Sequence, residues 1–174
     1  MRYSCSKATS QSAWPRFFEA NLEVPTHLLE LEILESSAVR DISEVASVIK
    51  ACQEFGVQFA LDDFGTGYSS LTYLKELPAH LIKIDMSFVR DMLVDRNDLA
   101  IIRGIIGLAK TFERIVIAEG AETDEHAAML LELGCDLAQG YGIARPMPAA
   151  AVQGWARNWC EAIITHGDVN VVSD

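Results

Sequence analysis

Apolar residues recur along this chain with two different periods, and the switches between them divide it into alternating strands and helices. Trp14, Phe17, Phe18 and Leu22 stand at helical spacing ahead of Pro25. From Leu28 to Leu34 the pattern alternates, with Leu29, Leu31 and Ile33 on one face and Glu30 and Glu32 on the other, which predicts a strand. Asp41 and Glu44 form a capping-box pattern ahead of Val45, Val48, Ile49, Cys52 and Phe55, an apolar helical face that predicts a helix over Ile42–Phe55, stopped at Gly56. A strand over Val57–Asp62 then leads through a glycine-containing turn into a helix with Leu71, Leu74 and Leu77 on one side, ended by Pro78. Leu81–Asp85 reads as a third strand, with Ile82 and Ile84 opposite Lys83 and Asp85. Leu99–Phe112 reads as a helix burying Ile102, Ile105, Ile106, Ala109 and Phe112, and Ile115–Gly120 as a fourth strand. Thr123 caps a helix that Gly134 closes after Leu133, Asp136–Gly140 makes a short fifth strand, and Ala149–Ile164 a last helix.

Regular alternation of this kind implies βαβ units and a parallel sheet. Each of the first four strands carries charge near its C-terminal end: Glu32, Asp62, Lys83 with Asp85, and Glu119. In an open doubly wound sheet helices cover both faces, so these groups would need buried partners. In a barrel they converge on the C-terminal mouth. The expected fold is therefore α/β, a TIM-like (β/α) barrel. Five strands do not close an eight-stranded cylinder, so the barrel is expected to be incomplete, with its N-terminal strands missing. Residues 1–13 are polar and unassigned, residues 14–165 form the domain, and residues 166–174 are expected to fray.

Charge and composition narrow the function. A net charge of −11 with no basic run argues against a nucleic-acid polymer or an anionic membrane as partner. Cys5, Cys52, Cys135 and Cys160 are scattered, with neither a zinc-type spacing nor a disulfide framework, which fits reduced thiols in the cytoplasm. No apolar run reaches the length of a membrane span, and the first twenty residues lack a signal peptide's apolar core, although a longer parent chain can still be membrane-anchored.

The chemistry concentrates at Asp62-Asp63, two adjacent carboxylates delivered by a strand to a turn containing Phe64, Gly65, Thr66, Gly67 and Tyr68. Two such charges ~4 Å apart repel by about 4 kcal/mol at an effective dielectric of 20. They are either solvated turn residues or the walls of a cation site. Plainer readings exist for the other groups as well: Glu119 as an ion-pair partner of Lys83, Lys83 as a counter-charge to Asp85, Gln139 as a backbone hydrogen-bonder. Phe64 and Tyr68 read as packing residues of the loop. His27, His80, His126 and His166 fall outside every motif.

Five segments, taken together, resemble the successive motifs of the EAL domain family. They are Leu31-Glu32-Ile33-Leu34-Glu35-Ser36, the run Asp62 to Leu71, the run Leu81 to Val89, Ile117-Ala118-Glu119-Gly120-Ala121-Glu122-Thr123, and Gly134 to Tyr141 followed by Pro146-Met147-Pro148. Any one would be weak evidence; five in order are not. The resemblance runs from about Trp14 to Trp155 and makes residues 14–165 the C-terminal two-thirds of such a domain. It implies metal-dependent hydrolysis of cyclic di-GMP to pGpG in a bacterial cytoplasm. It also implies Glu32, Asp62, Asp63 and Glu119 as ligands of two Mg²⁺ or Mn²⁺ ions, with Asp62 bridging and Lys83 orienting the attacking water. Asp85, Glu122 and Gln139 would line the mouth, and Glu35 would brace the Asp62–Tyr68 loop. Carboxylate oxygens suit hard divalent ions, and two such ions can activate a water and stabilise both oxygens of a phosphodiester displacement.

The departures matter equally. The Glu-Ala-Leu strand and the family's asparagine ligand have no counterpart here, Leu34 stands for the usual Thr, and Ala121 for a common Val. The expectation is a fragment of a longer phosphodiesterase, whose parent can carry sensory or GGDEF-type domains, with little turnover from these 174 residues by themselves. A non-catalytic cyclic di-GMP receptor and an interaction module or remnant are the alternatives. Open sheet edges make self-association, in the simplest case a homodimer, a further expectation.

Overall fold

The computed structural model describes residues 25–34, 42–67 and 70–166. The expected helix at Trp14–Leu22, the polar start, Glu35, Asp41, Tyr68 and the tail after His166 lie outside the described residues. The chain divides into two compact units, Met1–Ile143 and Ala144–Asp174.

In the first unit a 3-10 turn, Thr26–Leu28, precedes β1 (Glu30–Leu34), α1 (Ile42–Gln53), β2 (Gln58–Phe64), α2 (Ser70–Glu76), β3 (Leu81–Ile84), α3 (Met86–Asp91), α4 (Arg96–Thr111), β4 (Ile115–Glu119), α5 (Asp124–Glu132) and β5 (Leu137–Gln139). All strand pairs are parallel, in the spatial order β1-β2-β3-β4-β5. Right-handed crossovers that always step to the next strand in the same direction leave every helix on one face of the sheet. A doubly wound sheet would reverse direction at a switch point. The five strands therefore form an arc of a (β/α) barrel wall.

The core fills the helix-bearing face. Ile33, Phe59, Leu61, Ile82, Ile84 and Ala118 from the strands pack with Ile49 and Cys52 of α1, Tyr73 and Leu74 of α2, and Ile102, Ile105, Ile106 and Ala109 of α4. The alternate strand positions face the other way. In register they form rows: Glu32 beside Ala60, then Leu81 and Ile115; Leu34 beside Asp62; Lys83 beside Ile117 and Leu137; Glu119 beside Gln139.

Four expectations are corrected in detail. Leu71 is exposed, and Tyr73 takes the core position beside Leu74 and Leu77. Phe112 caps the end of α4 and is exposed rather than buried. Helix α4 starts at Arg96 instead of Leu99, because the Asp95 side chain accepts from Asn97 N–H at 2.7 Å and opens the helix a turn early. Finally, β3 stops at Ile84 and Asp85 is the N-cap of an additional helix, α3, whose six residues are too few to show a period.

The second unit contains α6 (Ala149–His166), on which Trp155 and Trp159 stand one turn apart with ring centroids 5.6 Å from each other.

Candidate metal centre

The site begins with an irregularity in β2. Leu61 pairs with Ile82 but Phe64 pairs with Ile84, so three steps on β2 match two on β3, a bulge of one extra residue. Asp63 is the residue that absorbs it, in the left-handed region at φ 55°. In a regular strand Asp62 and Asp63 would point to opposite faces. With the bulge, Asp62 keeps the face away from the helices, Phe64 returns to the core at 2% exposure, and the Asp63 carboxylate joins that of Asp62. Asp is among the few residues that tolerate this backbone region, because its short polar side chain can bond locally. The following turn is closed by Thr66, whose N–H and Oγ1 both donate to Asp63 O, at 3.3 and 2.9 Å. Gly65 is required there: its φ is +101°, and a Cβ would come within 3.1 Å of Phe88 and Ile105.

Strand β4 adds Glu119 from its last residue. Asp62, Asp63 and Glu119 each offer an oxygen, and the three lie within 4.8 Å of one another. Lys83, one row lower, is nearly enclosed at 6% side-chain exposure. Its Nζ reaches Glu32 Oε1 at 2.5 Å, Glu119 Oε1 at 2.7 Å and Asp62 Oδ1 at 3.2 Å. Burial pulls the Lys83 pKa down, but the hydrogen bonds it donates to Glu119 and Glu32 and the charges of Glu119 and Asp62 outweigh it and hold the ammonium above the usual lysine range. Lys83 is thus a permanent cation at neutral pH. Burial raises the Asp63 pKa, followed by the charges of Asp62, Asp85 and Glu119 and a hydrogen bond with Asp85.

Among the expected ligands, Glu32 is not one of the three converging carboxylates; it meets them through Lys83. Asp85 stands beside Asp63 while capping α3, with Ser87 N–H donating to it at 3.0 Å. Gln139 pairs with Glu119 in register, and its carbonyl accepts from Gly120 and Ala121 N–H at 2.7 and 3.1 Å, fixing the turn ahead of the exposed Glu122. These bonds are made by the Gln139 main chain, not by its side-chain amide.

A divalent cation fits this donor set. Asp62 Oδ1 is completely enclosed yet has no hydrogen-bond partner among the described residues, and its ion pair to Lys83 at 3.2 Å is its longest-range compensation. A buried carboxylate oxygen left in that state is costly. Three carboxylates with one lysine leave a net negative cage, and an all-oxygen donor set suits a hard ion.

Comparison with known proteins agrees with this geometry. The sequence pattern of the EAL domain matches residues 5–146. The bifunctional diguanylate cyclase/cyclic di-GMP phosphodiesterase MucR of Pseudomonas aeruginosa is 44% identical over 125 residues, 72% of this chain and 18% of that protein. Cyclic di-GMP phosphodiesterase NbdA of the same organism is 41% identical over 129 residues, 74% of this chain and 16% of that protein. The chain thus spans less than a fifth of the length of these curated relatives. Among solved structures, the EAL domain of Mycobacterium smegmatis DcpA has a TM-score of 0.82 at 36% identity, covering 90% of this chain and 71% of that one. The cyclic di-GMP complex of the PaMucR phosphodiesterase has a TM-score of 0.78 at 37% identity, covering 86% and 61%. With an acidic cage at the strand ends of a sequentially ordered parallel sheet, and a sequence match over most of its length, this chain belongs to the EAL domain family.

Proposed function

We propose that the chain is part of the catalytic barrel of a phosphodiesterase that hydrolyses cyclic di-GMP to pGpG with Mg²⁺ or Mn²⁺. The observation that carries this reading is the convergence of Asp62, Asp63 and Glu119 oxygens within 4.8 Å, with the enclosed Asp62 Oδ1 ion-paired to Lys83 but lacking a hydrogen bond among the described residues. In hydrolysis one water adds across one P–O3′ bond of the cyclic dinucleotide, leaving a 5′-phosphate and a 3′-hydroxyl on a linear product. The bound cations supply Lewis-acid polarisation of the phosphoryl oxygens and a water of lowered pKa.

The chain's own groups do the rest. Asp62, Asp63 and Glu119 would hold the cations, with Glu32 as a further ligand. Lys83, within reach of Asp62 and Glu119, orients the attacking water. Asp85, Glu122 and Gln139 border the mouth, and the Phe64–Gly67 turn sets the position of the two aspartates.

The test is calorimetry of this chain with cyclic di-GMP and Mn²⁺. Chromatography of the products then follows the chain once it is joined to an upstream Glu-Ala-Leu strand and asparagine strand. Metal-dependent binding and pGpG formation, both lost in Asp62→Asn, are expected. Binding without cleavage in the joined protein would make the domain a cyclic di-GMP receptor, and no binding in either form would leave the remnant reading.

A further inference from the structure

The only buried histidine among the described residues lies outside the motifs, yet it is fully engaged. His126 is 6% exposed on the first turn of α5. Its Nε2 is 3.2 Å from Arg90 O and its Nδ1 is 3.1 Å from Thr123 Oγ1, while its backbone N–H donates to the same oxygen at 3.4 Å. A carbonyl only accepts, so Nε2 carries a proton and donates it to Arg90 O.

Arg90 O is a carbonyl of the kind a helix end leaves without an internal partner. The donor that would reach it in a continuing helix, Val94 N–H, bonds instead to Asp91 O at 3.0 Å. The imidazole therefore ties the last turn of α3 to the start of α5. At its other end α3 is pressed against the same connection: a Cβ on Gly120 would lie 2.7 Å from Met86 Cβ. Asp85, the N-cap just ahead of Met86, stands beside Asp63, and between the two fastenings α3 presents Phe88 to Gly65; Asp63 and Gly65 flank Phe64 at the bulge.

We propose that His126 is a positioning residue of the metal centre, holding α3 so that Asp85 and Phe88 keep the Asp63 bulge in place. The proposal deepens the phosphodiesterase reading and rests on its metal site. Without the imidazole, α3 keeps Val89 and Met92 in the core but loses the hydrogen bond that fixes its C-terminal turn, and the packing of Phe88 on Gly65 loosens from that end.

Two measurements on the full chain test this: hydrogen–deuterium exchange of the α3 amides without metal, and Mn²⁺ affinity by calorimetry. His126→Phe fills the space without a donor; His126→Gln places an amide N–H where Nε2 stood. The expected result is faster exchange in α3 and about 5–20-fold weaker Mn²⁺ binding in His126→Phe. That loss is at or below the ~10–100-fold lost when a direct partner of a metal ligand is removed. Recovery to within about 2-fold is expected in His126→Gln, whose donor reproduces the lost hydrogen bond. Should the Phe variant fail to fold, His126→Asn, which can meet Thr123 but falls short of Arg90, takes its place with the same expectation. Unchanged α3 exchange overturns the proposal, and so does loosened α3 with native Mn²⁺ affinity, which would leave His126 a merely structural role. Absence of Mn²⁺ binding by the unsubstituted chain sinks the metal-site reading first, visibly and before any variant, and the positioning role with it.

Discussion

Lys83 is the residue on which the charge balance of the site turns. Among the described residues it is the cation that ion-pairs with Glu32, Asp62 and Glu119, with Asp63 just beyond. Replacing it by Met keeps the stem's packing and leaves the ring uncompensated. Metal-free Lys83→Met should lose about 2–3 kcal/mol, less than the ~3–5 kcal/mol of a fully buried broken pair because Glu32 is 37% exposed. A divalent ion can then replace the missing charge, so Mn²⁺ should raise the melting temperature of the variant more than that of the native chain. A smaller Mn²⁺ shift in the variant would contradict the competition between ammonium and metal. In a catalytically complete version pGpG formation should fall about 10²–10³-fold, the usual loss for one preorganised donor.

At the scale of elements, the bulge in β2 decides whether two neighbouring aspartates can share a site. Charge and backbone can be separated there. Asp63→Asn keeps a side chain that tolerates φ 55° and removes one repelling charge. It should be more stable than native without metal and should lose most of its Mn²⁺ response. Asp63→Val is smaller, apolar and β-branched, and should be about 2 kcal/mol less stable than Asp63→Asn in urea unfolding. Equal stability of the two variants would mean that the left-handed residue is not what shapes the bulge.

The link between α5 and β5 has its own pH signature. Cys135 is 3% exposed, its Sγ donates to Leu137 O at 3.3 Å, and burial holds its thiol above the ordinary value. A raised folded pKa adds stability that is fully present below the unfolded pKa and lost as pH rises through the folded one. The urea-midpoint difference between the native chain and Cys135→Ala should therefore narrow from pH 7 to pH 10. A constant gap would place the thiolate as readily in the fold as in water.

For the whole molecule, the sheet face opposite the helices carries apolar surface as well as the acidic cage. Ile115 and Leu137 are 41% and 45% exposed there, and among the described residues β1 and β5 each have one strand neighbour. Open edges and an apolar face favour pairing with further chain. Light scattering should show concentration-dependent association of the chain, weakened by Leu137→Lys. A monomer at every concentration would count against this. No helix among the described residues is long and apolar enough to cross a membrane.

The alternation of apolar positions was enough to place β1 to β5 and most helices, because burying one face of each element imposes its period directly on the residues. It was also enough to bring Glu32, Asp62, Lys83 and Glu119 to one end of the sheet, since strand ends in a parallel array share a side. Period alone could not show α3, which is too short to repeat, nor the exposure of Leu71 and Phe112, which depends on which neighbour arrives first. It gave no sign of His126, whose role exists only because α3 and α5 meet across thirty-six positions of chain. The bulge, the enclosure of Asp62 Oδ1 and the division of the acids into three that converge and one that meets them through Lys83 are set by register between strands. Register is a relation between distant segments, and only the folded chain decides it.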